Sequence, residues 1–166
     1  SSHASVTQGA HGIPSPLVIG HKLSSRCKVY RSGTAQSIPE ATNTKIQYNA
    51  EEYDNYNEFD LTTNYRFTPT VAGWYLILGC YQIELNLDGA EFAHKVYKNG
   101  AEYAIHINTT GMACWGIQGT FYLVYCNGTS DYLEFYAWQQ KPGQGAKNLT
   151  ASQTRNFVEI FLLSNM

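Results

Sequence analysis

Charged residues are scarce in this chain. They make up 14% of it, 11 Lys and Arg against 13 Asp and Glu, for a formal net charge of −2. The basic residues are scattered, so the Lys/Arg cluster that follows phosphates is missing and no nucleic-acid partner is expected. Long hydrophobic runs are missing too. The longest, around Trp74 to Leu78, falls far short of the roughly 20 residues a bilayer-spanning helix needs, so membrane insertion is not expected. No signal-peptide pattern opens the chain, and Ser1 reads as the boundary of a larger parent protein. GxSxG, HExxH and phosphate-loop patterns are also lacking, as is any CxxC spacing. No catalytic residue is assigned, and an enzyme is not expected.

What is present is aromatic and turn-rich: 13 Tyr, 7 Phe, 3 Trp and 14 Gly, with no long helical pattern. Aromatic and β-branched side chains suit half-buried pleated surfaces, and Gly, Asn and Asp punctuate the turns between them. A length of 166 residues fits one domain with a sizeable core. Residues 1–25 differ from the rest. They are rich in Ser, Gly, Pro and His, and Pro14 and Pro16 disfavour both helix and central strand. The expected division is an extended linker over 1–25 and an all-β domain over 26–166. Within that domain, strands are expected over 28–31, 45–49, 65–68, 73–83, 92–98, 101–107, 116–125, 132–139 and 157–163. The polar stretch 140–154 reads as a long surface loop.

Asn99-Gly100 between two β-rich runs is a two-residue type I′ hairpin signal, because both positions need positive φ. Simple pairing around it sets Val96 opposite Tyr103 and His94 opposite Ile105. Phe92, His94, Val96, Tyr103 and Ile105 then share an apolar face, and Lys95, Tyr97, Glu102 and His106 a wet one. In that register His94 and His106 point apart and share no metal. Cysteines stand at 27, 80, 114 and 126. Three pairings are open to them, and buried free thiols are an equal expectation.

A sheet with one face in water alternates apolar and polar residues. The run 73–83 does not, since Trp74, Leu76, Leu78 and Cys80 fill one row and Tyr75, Ile77, Tyr81 and Ile83 the other. The run 157–163 is similar, and 116–125 carries Tyr122 and Val124 on its second row. Strands apolar on both faces imply a covered outer face, and a subunit interface is the expected cover.

These residues resemble the globular-head domain of complement C1q, a relative of the tumour necrosis factor jelly rolls. The family's aromatic signature is matched by Tyr48, five residues, Asp54, four residues, Phe59, then Phe67, five residues, Gly73, one residue and Tyr75. The phrases YNAEEYDNYNEF and YRFTPTVAGWYLI, the KNG hairpin, GTFYLVYCNGTSDYLEFYAWQ and the closing FVEIFLL also resemble the family's order, over about 27–163. Departures are Tyr48 for the usual Phe, one inserted residue between Phe59 and Phe67, and Ile77 and Gly79 in place of late aromatics. A collagen-like Gly-X-Y stalk is absent, which argues against the complement and hormone-like roles of animal members.

The resemblance implies a ten-stranded jelly-roll sandwich assembled as a homotrimer. It sets 73–83, 116–125 and 157–163 side by side in the sheet that meets the neighbours. Tyr75, Tyr81, Tyr122, Phe157 and Phe161 are the expected contact residues. It also suggests calcium near the apex, for which Asp88 and Glu91 are the candidate ligands, with Asp54, Glu58 and Asp60 as further oxygen donors. Tyr53, Tyr56, Trp115 and Trp138 are candidates for stacking on a sugar ring. The opening ASVTQGAHGIP resembles linkers of phage tail proteins. The expected function is a trimeric adhesion head on a phage or microbial fibre, bound to a cell-surface glycan or protein receptor at an extracellular or virion surface. The alternatives are a trimerisation cap of a fibre and a secreted recognition or signalling domain.

Overall fold

The computed structural model describes residues 25–84, 89–111 and 116–164. Within them lie β1 (Arg26–Tyr30), β2 (Gln36–Ile38), β3 (Thr44–Lys45), β4 (Ala50–Asp54), β5 (Phe59–Asp60), β6 (Arg66–Phe67), β7 (Gly73–Ile83), β8 (Glu91–Lys98), β9 (Ala101–Thr109), β10 (Gly116–Cys126), β11 (Leu133–Gln140), β12 (Lys147–Leu149) and β13 (Phe157–Ser164). Against the ten strands expected, thirteen stand among the described residues, because several segments pair over only two or three residues. Residues 45–49 contribute only the last residue of β3, and 140–154 contains β12 where loop was expected. The expected linker 1–25 lies outside the described residues except for Ser25.

All pairings are antiparallel and form two sheets. In the seven-stranded sheet β10 flanks β7, whose other edge holds β13, followed by β1 and β4; β12 and β2 continue that edge beyond Ile83. Residues 73–83, 116–125 and 157–163 are therefore neighbours, as the family resemblance implied. The six-stranded sheet runs β9-β8-β11-β6-β5, with β3 also on β11.

The signature residues make the core between the sheets. Phe67 meets Tyr75 edge-on at 5.5 Å, Tyr48 meets Phe59 at 6.2 Å and Phe135 at 6.0 Å, and Phe59 stacks on Phe135 at 6.3 Å. The Tyr75 hydroxyl donates to the Val71 carbonyl at 2.7 Å, which satisfies its buried polar end. Gly73 is a glycine for a packing reason. A Cβ there would lie 2.3 Å from the Ser164 carbonyl oxygen and 2.6 Å from Leu162 Cδ1.

The hairpin forms with Asn99 at φ 54° and Gly100 at 79°, as a type I′ turn requires. Its register departs from simple pairing. Tyr97 faces Glu102, but Val96 faces Ala104 and His94 faces His106. A bulge has made Tyr103 the extra residue, and it shifts every later pair by one. Phe92, His94 and Val96 are buried as expected, whereas Tyr103 and Ile105 are 48% and 40% exposed. The expectation that the two histidines point to opposite faces is thus overturned.

Candidate functional site

The outer face of the seven-stranded sheet is the most unusual surface. Along β7 one row, Tyr75, Ile77, Tyr81 and Ile83, is wholly buried in the inter-sheet core. The opposite row, Trp74, Leu76, Leu78 and Cys80, faces outward and is partly open. In β10 Val124 and the partly buried Tyr122 pack against the core, which leaves Phe121 and Leu123 outward at 76% and 49% exposed. In β13 Val158 and Ile160 are inside, and Phe157 and Phe161 lie on the outer row. Tyr75, Tyr81 and Tyr122 are therefore inner-face residues, not surface contact residues. Two apolar rows do not reveal by period which one turns inward. Phe157 and Phe161 do share the outer face.

The residues that sequence reasoning missed are Phe121, Leu123 and Leu163, with Trp74 beside them. Trp74 is 37% exposed, Leu163 58%, and Trp74 meets Tyr125 edge-on at 5.7 Å. The signal was in the run FYLVY, where Phe121 and Leu123 alternate with Tyr122 and Val124. On β9, the edge strand of the second sheet, Ile105 and Ile107 stand opposite Lys95 and Ala93 and face outward on that sheet, 40% and 51% exposed, while the Tyr103 hydroxyl donates to the Leu123 carbonyl of β10 at 3.3 Å. On the first sheet Trp74, Leu76, Leu78, Phe121 and Leu123 make an apolar surface across the β7 and β10 side. The β1 and β4 side of the same face is polar. There Lys28 pairs with Glu52 at 2.7 Å and Arg26 lies 5.1 Å over the Tyr53 ring. The Tyr53 hydroxyl donates to Glu159, and burial, then this carboxylate, push the phenol above its usual range.

The candidate sugar-stacking residues do not converge. Tyr53 lies on the outer face of the first sheet, Tyr56 in the turn after β4, and Trp138 on the outer face of the second sheet beside Ala93. Trp115 and Asp88 lie outside the described residues, as does Cys114. Glu91 is exposed at the start of β8 rather than within a loop.

The other acidic candidates are occupied by their own loops. Asp54 accepts backbone N–H bonds from Tyr56 and Phe59. Glu58, buried, accepts from the hydroxyls of Ser25 and Thr70 and from the Thr70 N–H. Asp60 accepts the N–H groups of Thr62, Thr63 and Asn64, and these bonds hold its carboxyl below the usual range. Among the described residues no three His, Cys, Asp or Glu side chains gather to hold a metal ion. Cys27 and Cys126 are buried free thiols and Cys80 a half-buried one. Burial pushes the Cys126 thiol up to about 12 and raises Cys27 and Cys80 as well, so none is poised as a thiolate. No helix among the described residues is long and apolar enough to cross a membrane.

No protein-family model matches the sequence, and no curated protein matches it. Solved structures do match. The Eiger TNF of S. frugiperda superposes with a TM-score of 0.65 at 7% identity, covering 86% of this chain and 94% of that one. The globular domain of zebrafish complement 1qA gives 0.62 at 12%, covering 86% and 99%. Murine APRIL at pH 5.0 gives 0.63 at 10%, covering 84% and 99%. At such identities the likeness is one of architecture, and it spans the two sheets described above. The chain has the jelly-roll fold of the C1q and tumour necrosis factor domains.

Proposed function

We propose that the chain is a non-enzymatic binding head that works as a homotrimer, displayed at an extracellular or virion surface as the tip of a phage or microbial fibre. The observation that carries the assembly is the open apolar outer face of the seven-stranded sheet, with Trp74, Phe121, Leu123 and Leu163 exposed on it. Contiguous apolar surface of this kind on a folded domain marks an interaction site, and a second copy of the chain supplies apolar surface of the same chemistry. The jelly-roll fold adds support, since the family resemblance in the sequence implies threefold assembly. The linker-like residues 1–25 support the fibre setting.

In this reading the ligand is a cell-surface glycan or protein. It is met at separate aromatic positions, of which Tyr56 and Trp138 are the candidates among the described residues, and three weak sites together give avidity. Sedimentation of the full chain at micromolar concentration is expected to give the mass of three 18.6 kDa chains; a monomer overturns the assembly. A glycan array is expected to return hits that Trp138→Ala weakens. A trimer that binds neither glycan nor cell-surface protein would be the cap of a fibre instead. A second reading, a secreted recognition or signalling domain, is favoured by the animal sources of the three superposed structures.

A further inference from the structure

The sandwich holds a basic group where none is needed for packing. His94 stands on β8 in the interior of the second sheet, 1% exposed, with its ring stacked on Phe135 at 6.1 Å and 5.9 Å from Tyr81 of the opposite sheet. Its Nδ1 has no hydrogen-bond partner. Around it the same is true of the buried hydroxyls of Tyr48, Tyr81 and Thr120. Gly79 of β7 makes the room: a Cβ there would lie 3.0 Å from Thr120 Oγ1 and 3.9 Å from His94 Cε1. The Tyr122 hydroxyl reaches across from β10 to the His94 carbonyl at a long 3.5 Å.

We propose that His94 is a proton-operated latch between the two sheets, through which mild acid loosens the sandwich beneath β7 and β10. The groups facing it are Gly79 and Tyr81 from β7, Thr120 and Tyr122 from β10, Phe135 from β11 and His106 from β9. None is a carboxylate, and His106 lies exposed opposite it across the hairpin. An imidazolium formed here is buried without a counter-ion, a state the fold avoids by opening. The latch is a property of one chain and holds whatever the state of assembly.

Burial first, and His106 second, lower the His94 pKa to about 4 from an ordinary 6.5. The unfolded chain therefore binds the proton that the folded chain refuses. The stabilisation is complete above the unfolded value and drains away as pH falls from about 6.5 towards about 4. The gap corresponds to a fall of a few hundredfold in the folding equilibrium constant, on the order of ten to the power of that difference.

Urea denaturation of the full chain at pH 7.5, 5.5 and 4 tests this with wild type, His94→Phe and His106→Gln. His94→Phe is expected to lose at least 100-fold less of its folding constant over that range than wild type, and His106→Gln to follow wild type closely. Parallel losses in wild type and His94→Phe overturn the latch. Should His94→Phe not fold, an imidazole titration of wild type by NMR decides: a His94 midpoint at or above 6.5 overturns the proposal, and one well below it sustains it.

Discussion

The two outer faces of this sandwich are built from strands of similar length, yet they end in different states. On the second sheet β8, β11 and their neighbours close their outer surface with their own side chains. Lys45 pairs with Glu134 at 2.6 Å, Lys95 with Glu102 at 2.7 Å, and Tyr97 and Tyr136 lie ring to ring at 4.3 Å. Arg66 lies 4.4 Å over Tyr132 at the rim, where Lys98 also pairs with Asp131 at 2.9 Å. On the first sheet the corresponding positions of β7 and β10 are Trp74, Leu76, Leu78, Phe121 and Leu123. Charged side chains fit most of one face to water, with Ile105 and Ile107 left open on its β9 edge, while the β7 and β10 side of the other carries no charge at all in its outward rows. The lesson is that polarity of the outward row, not strand length or pairing, separates a face suited to water from one suited to a partner.

The largest expected effect breaks the seam on which the apolar face is built. In Gly73→Ala the new methyl has no space, with the Ser164 carbonyl 2.3 Å away and φ at 158°. The cost is about 3 kcal/mol or more, because the crowding is against backbone and cannot be relieved by a rotamer. A domain stabilised by the usual 5–15 kcal/mol loses a large share of its margin. Thermal or urea denaturation checks this, and an unchanged midpoint contradicts the close approach of β7 and β13.

Phe121→Glu separates the two faces more selectively. A side chain 76% exposed contributes little to the protomer, so folding of the isolated chain is expected to move by no more than about 0.5 kcal/mol. Assembly is another matter. Three carboxylates at an apolar contact are desolvated without partners, and sedimentation is expected to show single chains. A variant that keeps the mass of three chains removes Phe121 from the interface.

How much of this contrast could be read beforehand depends on the strand. The runs 73–83 and 157–163 declared themselves because both their rows are apolar. β4 did not, because Glu51 and Glu52 of this edge strand face water and obscure its period. β2, β5 and β12 are too short for any period to develop. Which of two apolar rows turns inward depends on the opposing sheet, and so Tyr75, Tyr81 and Tyr122 were placed on the wrong side while Phe121 and Leu123 were passed over. The slip at Tyr103 is likewise a tertiary event, since nothing in KNGAEY distinguishes a plain hairpin from a bulged one.

Tyr48→Phe addresses the shared interior beneath both faces, and its expected effect is smaller and of opposite sign. The Tyr48 hydroxyl is buried without a partner, and the C1q domains that the sequence resembles usually have phenylalanine there. Removing an unpaired polar atom while keeping the ring is expected to raise stability by about 1 kcal/mol. The edge-on contacts with Phe59 and Phe135 stay in place. Chemical denaturation would read the gain as a higher midpoint; a loss instead means that the hydroxyl holds an internal water.

The smallest effect belongs to the charged face. Glu102→Gln removes the partner of Lys95 at a site where the carboxylate is 41% exposed and well screened. Exposed ion pairs contribute little because water competes for both charges, so the expected cost is below about 0.5 kcal/mol. Sedimentation is expected to stay that of the wild type, since β8 and β9 keep their backbone ladder and the change adds no charge to the apolar surface. Denaturation at low and high salt gives the comparison its sharpest form. Wild type and Glu102→Gln should converge as salt rises, whereas Phe121→Glu should stay dissociated at low and high salt alike, because its defect is desolvation rather than a screened attraction.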